Sequence, residues 1–257
     1  QVLSILQAVT EFLPISSSAH LLLPSKILGW PDQGLFFDIA VHCGSLLAVI
    51  IYLRKELLSL GFFKSKYFFV IICATFPIIA VAPVVASYDI RWSLSSIAIA
   101  NIFFAILLLL SINLGQQNRK VTEINFKDGF IIGFWQIFSL ISGASRSGTV
   151  ITGALFQGFN RESAARFSIM LSIPTIAGAL FYIISDKDIL TTNADILTTF
   201  IAFLTTFIVS YFTIDWFIRF VRRVGFGIFI IYRAILGIFL LCPVSYTHLR
   251  AHETRLN

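Results

Sequence analysis

The chain has 257 residues, of which 57% are hydrophobic and only 12% are Asp, Glu, Lys or Arg, and its formal net charge is +6. Soluble domains carry about 25% charged residues, so this composition excludes an ordinary soluble enzyme and indicates an integral membrane protein. The basic residues lie mainly between apolar segments, which favours cytoplasmic loops over nucleic-acid binding as the reason for the positive charge.

The first apolar segment, residues 1–34, is interrupted by polar residues. Pro14 breaks it, and Ser16-Ser17-Ser18 and His20 follow directly. Broken helices at membrane depth are tolerated where their free backbone groups line a cavity. The pattern therefore predicts a re-entrant helix pair that enters and leaves the membrane on one side.

Six longer apolar segments come close to the roughly 20 residues that cross a hydrocarbon core. They are residues 35–53, 67–86, 94–114, 164–184, 196–218 and 224–242. Between the third and the fourth lies a second interrupted segment, residues 128–163, with Ser145-Arg146-Ser147. Subtracting 7 from 136 relates Gln7 to Gln136 by an offset of 129, which also relates Ser16 to Ser145. The chain therefore contains an internal repeat.

Loop charges predict how the two halves are oriented. The loops 54–66, 115–127 and 219–223 are rich in Lys and Arg and are assigned to the cytoplasm, whereas 87–93 and 185–195 are assigned outside. Segment 35–53 then runs inward while its repeat partner 164–184 runs outward. We predict an all-α integral membrane protein with about six transmembrane helices and two re-entrant helix pairs in an inverted-topology repeat.

The repeats define one membrane domain over residues 1–242, with repeat one at about 1–115 and repeat two at about 127–242. The chain begins without Met inside an apolar segment, so we expect that natural residues precede it. Composition changes after Pro243, and residues 243–257 resemble a translated sequencing adaptor. We predict that this tail is not native.

Ionisable groups inside a membrane are costly and usually functional. Glu11 and Gln7 lie one helical turn apart and share a face. They could present a carboxylate and an amide to one ligand or to a divalent cation, but two ligands are an incomplete shell for Mg²⁺, which also takes water and phosphate oxygens. The alternative is an interfacial Glu11 without a role.

His20 and Arg146 extend this set. Next to a carboxylate and hydroxyls, His20 is a candidate for proton transfer, or else a structural histidine. The planar fork of Arg146 suits phosphate oxygens, and Ser145, Ser147 and Thr149 add donors at a helix N-terminus. The alternative is an arginine that reaches the interface. Together the residues indicate phosphate chemistry in a membrane cavity, on an apolar substrate.

The stretch from Gln7 to His20 resembles the [E/Q]-x-x-x-E-F-L-P-[VI]-S-S-[ST]-x-H signature of undecaprenyl pyrophosphate phosphatases, the bacitracin-resistance family. Ser142 to Thr149 is similar to the family's P-G-x-S-R-S-G-x-T motif, with Ser142 in place of the usual Pro. Both motifs occur in the family's order, and the resemblance extends over about residues 1–242, through Tyr232-Arg233.

The resemblance implies hydrolysis of undecaprenyl diphosphate at the outer face of the bacterial cytoplasmic membrane, recycling a lipid carrier for cell-wall synthesis and giving bacitracin tolerance. It also implies a need for Mg²⁺ or Ca²⁺, and we predict that Glu11 acts as a base or as a ligand of this cation, with Gln7 in support. The predicted partners are the membrane and a polyprenyl diphosphate, with no nucleic acid; a homodimer is a further hypothesis. The rival function is a polyprenyl-phosphate transporter or flippase, because inverted repeats and broken helices are also transporter features.

We assign catalytic roles to Glu11, Ser17, His20 and Arg146, and substrate binding to Gln7, Ser16, Ser18, Ser145, Ser147 and Thr149. The nucleophile is Ser17 activated by Glu11 or His20, His20 itself, or a water that they orient. One hypothesis lies outside the motifs. Asp38 and Arg166 occupy the first helix after each re-entrant segment and either form an ion pair or are solvated separately.

Overall fold

The computed structural model of the chain describes residues 1–30, 33–88, 90, 92–185 and 195–253. Within these ranges the fold is built from α-helices, with no β-strand beyond one isolated bridge. The prediction of an all-α membrane protein is confirmed.

The first half of the chain contributes six helices to the described part of the structure. They are α1 (Val2–Thr10), α2 (Ser17–Leu28), α3 (Leu35–Tyr52), the single turn α4 (Arg54–Leu57), α5 (Lys66–Ala86) and α6 (Leu94–Leu114). The second half contributes α7 (Phe126–Ile137), α8 (Arg146–Phe156), α9 (Arg161–Ile184), α10 (Ile196–Arg223) and α11 (Gly227–Glu253).

Each predicted span lies largely within one helix. Among the described residues, α3, α5, α6, α9 and α10 are long and apolar enough to cross a membrane. The apolar part of α11, Gly227–Leu241, is shorter, so the sixth span stays a prediction. The predicted loop 219–223 is wrong, because α10 continues through its three arginines to Arg223.

Four short helices occupy the two segments for which re-entrant pairs are predicted. Helices α1, α2, α7 and α8 have 9, 12, 12 and 11 residues. At 1.5 Å per residue they are about 14 to 18 Å long, too short for a hydrocarbon core of about 30 Å. The structure thus contains two helical hairpins, α1–α2 and α7–α8. The opposite orientation of the two halves, and the division into repeats, stay predictions.

The two hairpin turns have the same local conformation. Ser16 precedes α2 and Ser145 precedes α8, and both have a φ of 72°. Each serine caps its helix, since its Oγ accepts a hydrogen bond from the backbone N–H of Ala19 at 3.5 Å or of Gly148 at 3.2 Å. A positive φ is unusual for serine, so the surrounding structure must hold both turns in place.

The halves pack mainly against each other. Helix α3 lies against α10, α6 against α11, α5 against α7 and α1 against α10. Close approach requires small residues: a Cβ on Gly44 would lie 2.6 Å from the carbonyl oxygen of Phe203, and one on Gly143 the same distance from that of Ile97. This interlocked packing brings the two hairpin turns together in the interior.

Candidate functional site

A buried carboxylate occupies the turn of the first hairpin. Glu11 follows α1 directly, and its backbone N–H donates to the carbonyl of Gln7. Pro14 has no N–H and restricts the residue before it, so the helix cannot continue through this point. Glu11 is therefore held at the end of a short helix, with its side chain among the residues of both turns.

Three groups bind the Glu11 carboxylate. Arg146 donates from one terminal guanidinium nitrogen to Oε1 at 2.8 Å, Ser17 Oγ donates to Oε2 at 2.7 Å, and Gln7 Nε2 donates to Oε2 at 2.9 Å. Arg146 begins α8 in the second hairpin, whereas the other three residues belong to the first. The predicted alignment of Gln7 with Glu11 is confirmed, and the two motifs meet in one site.

The Glu11–Arg146 ion pair is largely buried, with side-chain exposures of 6% and 12%. Breaking a buried pair by removing one partner leaves an uncompensated charge and costs about 3–5 kcal/mol. The pair therefore ties the hairpins together. An anion that displaced the carboxylate would bind the same guanidinium.

Hydroxyl groups of the second turn bind the first turn. Ser147 Oγ donates to the carbonyl oxygen of Leu13 at 2.6 Å, and Ser145 Oγ donates to the same oxygen at 3.4 Å. Thr149 Oγ1 donates within its own helix, to the carbonyl of Arg146 at 2.9 Å. These three predicted substrate-binding residues thus make hydrogen bonds that shape the site.

The serines of the first turn are placed differently. Ser16 Oγ and Ser18 Oγ lie 3.2 Å apart, and Ser18 is exposed. Together with Ser17 they surround the N-terminus of α2, where free backbone N–H groups favour an anion.

His20 is held away from Ser17 and Glu11 by partners of its own. Its Nδ1 lies 2.6 Å from the carbonyl oxygen of Ser16, and its Nε2 lies 2.5 Å from the Tyr232 hydroxyl. Because the carbonyl can only accept, Nδ1 carries the proton and Tyr232 donates to Nε2. In this arrangement both ring nitrogens are engaged, so His20 must release a partner before it can transfer a proton.

A cavity of about 350 Å³ adjoins the site. Helices α1, α2 and α3 contribute both polar and apolar side chains to its lining, and the apolar ones include Leu3, Leu21 and Phe37. Its polar lining consists of Gln7, Ser17, Ser18, Ser25, Gln33, Asp38 and His42. Gln7 and Ser17, which bind the Glu11 carboxylate, line this cavity, whereas Glu11 and Arg146 do not. A cavity lined by both apolar and polar side chains suits a lipid with a charged headgroup.

The hypothesis of an Asp38–Arg166 ion pair is wrong. Arg166 binds Glu56 at 3.0 Å and Glu162 at 3.3 Å. Glu56 follows the end of α3, whereas Asp38 lies in its first turn. The length of α3, at 1.5 Å per residue, separates Asp38 from Arg166 by roughly 20 Å.

The sequence of the chain matches a known protein family. The family model described as "Bacitracin resistance protein BacA" matches residues 1–239. The chain belongs to this family. Membership in the BacA family confirms the resemblance carried by the two hairpin motifs.

Curated relatives of this BacA family member share its length. A protein named undecaprenyl-diphosphatase from Hahella chejuensis is 40% identical over 93% of this chain and 95% of its own length. One of the same name from Alcanivorax borkumensis is 41% identical over 93% of this chain and 96% of its own. Undecaprenyl-diphosphatase 1 of Pseudoalteromonas translucida is 40% identical, with the same coverage.

Sequence reasoning missed the role of Arg233 in this BacA family member. Arg233 is fully buried in α11 and donates to the carbonyl oxygens of Pro14 at 3.3 Å, Gly143 at 2.9 Å and Ala144 at 3.0 Å. It therefore binds both hairpin turns at once. The available signal was a charged residue inside an apolar helix, which usually marks a functional position.

His42 is a second residue to which the sequence analysis gave no role in the site. It lies on α3, lines the cavity, and places its Nε2 3.4 Å from Nε2 of Gln7. In the sequence it was visible only as a neighbour of Asp38, since no motif joins α3 to Gln7.

Proposed function

We propose that this chain is an integral-membrane phosphatase that hydrolyses undecaprenyl diphosphate to undecaprenyl phosphate and inorganic phosphate. The observation that carries the proposal is the convergence of Ser17, Glu11 and Arg146, which supply a hydroxyl, a base and a cation suited to phosphate. They lie beside a cavity lined by both apolar and polar side chains. Three relatives that align over 93% of this chain are named undecaprenyl-diphosphatase, which supports the same activity.

The guanidinium of Arg146 binds the diphosphate in this proposal. In the structure, one of its terminal nitrogens pairs with Glu11. A diphosphate at the N-terminus of α2 would draw Arg146 away from the Glu11 carboxylate. Phosphate offers two oxygens to the planar guanidinium group, which can bind both at once. Substrate binding then places the positive guanidinium group of Arg146 beside the phosphoryl group and leaves the Glu11 carboxylate free to accept a proton.

Ser17 is the nucleophile that the geometry favours. Its Oγ already donates to Glu11 at 2.7 Å. The Ser17 oxygen attacks the terminal phosphorus, its proton passes to Glu11, and the bond from phosphorus to the bridging oxygen breaks to release undecaprenyl phosphate. Undecaprenyl phosphate takes that proton from Glu11 as it leaves, so Glu11 is a carboxylate again. Water then attacks the phosphoserine and gives its proton to Glu11, the bond from phosphorus to Ser17 Oγ breaks, and Ser17 Oγ takes the proton back as inorganic phosphate is released. His20, held by Tyr232, supports the turn from which Ser17 projects.

The implied Mg²⁺ or Ca²⁺ would depend on few protein ligands. Within the described ranges, no three His, Cys, Asp or Glu side chains converge. Gln7 Oε1, however, is a buried oxygen without a hydrogen-bond partner, next to the Glu11 carboxylate. Mg²⁺ is often held by one or two carboxylates plus substrate phosphates. Glu11 and Gln7 therefore fit a cation that binds with the diphosphate, where it would neutralise phosphate charge.

Hydrolysis distinguishes this function from transport. We expect the purified protein, supplied with Mg²⁺ in detergent, to release phosphate from undecaprenyl diphosphate, and the Cys43→Ala variant to do so at the same rate. A folded protein that releases no phosphate but moves the lipid across vesicle membranes would establish the rival transporter. Overproduction of an active enzyme would raise bacitracin tolerance.

The cavity opens to the outer face of the bacterial cytoplasmic membrane in this proposal. The loop charges support it, since they leave the α2–α3 connection on the side opposite the basic loops. We expect Ser18→Cys, in a background without other cysteines, to react with a membrane-impermeant thiol reagent in intact cells. Reaction only after permeabilisation would reverse the orientation. The homodimer stays a hypothesis.

A further inference from the structure

The amide of Gln7 is held from two sides. Its Nε2 lies 2.9 Å from Oε2 of Glu11 and 3.4 Å from Nε2 of His42. The other His42 nitrogen, Nδ1, lies 2.7 Å from the backbone carbonyl oxygen of Asp38. A carbonyl only accepts, so Nδ1 carries a proton, and Nε2 is the acceptor because it faces an amide nitrogen, which only donates.

Both amide hydrogens of Gln7 are therefore used. One is donated to Glu11 and the other to His42, while Oε1 is buried without a partner. A buried acceptor that lacks a hydrogen bond costs about 1–3 kcal/mol. Gln7 lines the cavity, so a ligand bound there can satisfy this oxygen.

Glu11 alone cannot fix the orientation of the amide throughout the reaction. As a carboxylate it only accepts, and it selects the N–H groups of Gln7. Its Oε2 binds only one of the two amide hydrogens, so the second depends on another acceptor. The Nε2 acceptor of His42 then distinguishes the two ends of the amide.

We propose that His42 is a positioning residue that acts through Gln7. By accepting the second amide hydrogen, it keeps Gln7 Oε1 available to the cation that binds with the diphosphate. This inference rests on the proposed phosphatase function for the identity of the occupant. The placement of the amide itself does not depend on it.

Kinetics test the inference through matched variants. We expect His42→Leu to lower kcat about tenfold with little change in KM, as loss of an orienting partner commonly does. His42→Gln keeps an acceptor and should retain activity within about twofold. In a Gln7→Ala background, His42→Leu should have no further effect. An equal loss in both backgrounds, or no loss in either, would overturn the proposal.

A spectroscopic measurement separates this inference from the proposed function. In protein with ¹⁵N-labelled glutamine side chains, the Gln7 amide signal is assigned by its absence from Gln7→Ala. We expect His42→Leu to shift the Gln7 amide protons, and His42→Gln to shift them less. Unchanged signals in His42→Leu would refute the contact. If the parent chain released no phosphate, the proposed function would fail while this measurement still decided the role of His42.

Discussion

Glu11→Gln should lower the rate of phosphate release from undecaprenyl diphosphate at least about a hundredfold, since a positioned general base commonly contributes 10²–10⁴-fold. The amide is nearly isosteric and can still accept from Arg146 through its oxygen. It cannot take the proton that Ser17 Oγ donates at 2.7 Å in the structure. The loss should therefore fall on kcat.

The matched control is Glu56→Gln. Glu56 is half-exposed and pairs with Arg166, far from both hairpin turns. Its replacement should leave hydrolysis unchanged. The thermal midpoint of Glu11→Gln in detergent identifies any loss of folded protein. Full activity of folded Glu11→Gln would exclude Glu11 as the base.

Arg146→Lys should lower kcat/KM at least about tenfold, equivalent to about 1.4 kcal/mol of transition-state stabilisation. Lysine keeps the charge that pairs with Glu11, so the fold should persist. It lacks the planar fork that binds two phosphate oxygens together. Phosphate release by the purified variant, measured across lipid concentrations, gives the two kinetic constants.

Arg222→Lys provides the control for this substitution, because Arg222 is exposed near the end of α10. It should retain the parent rate. If Arg146→Lys kept full kcat/KM, a single positive charge would suffice, and the role of Arg146 would be limited to its ion pair with Glu11.

Much of the fold could be predicted from the sequence because the membrane imposes simple constraints. Length and apolarity located α3, α5, α6, α9 and α10. Pro14 and the capping serines marked the hairpin turns, and the repeated motif related Ser16 to Ser145. The meeting of the two motifs followed from their shared phosphate chemistry, but the ion pair between Glu11 and Arg146 was not predicted.

Contacts between distant helices could not be predicted in the same way. Arg233 binds carbonyls of both turns, and His42 meets Gln7 from another helix. No local pattern encodes such contacts. The Asp38–Arg166 hypothesis failed for a related reason: repeat positions show which residues are equivalent, but not which end of a helix faces which partner.

The roles of the serine and threonine hydroxyl groups could also be predicted only in part. The predicted donors Ser145 and Ser147 bind the Leu13 carbonyl, and the Thr149 hydroxyl binds within its helix. Sequence identifies a hydroxyl but not its partner, because serine can cap, crosslink or bind substrate with the same group. Ser17 differs from them, since its partner is the carboxylate.

A double-mutant cycle in kcat/KM most directly tests whether the two hairpins form one diphosphatase centre. The four proteins are the parent, Glu11→Gln, Arg146→Lys and the double variant, each assayed for phosphate release and for thermal stability. Residues that act as a unit are strongly non-additive, so the double variant should be no slower than the slower single variant, within about threefold. Losses that multiply in the double variant would show that Glu11 and Arg146 act independently, contradicting a single shared centre.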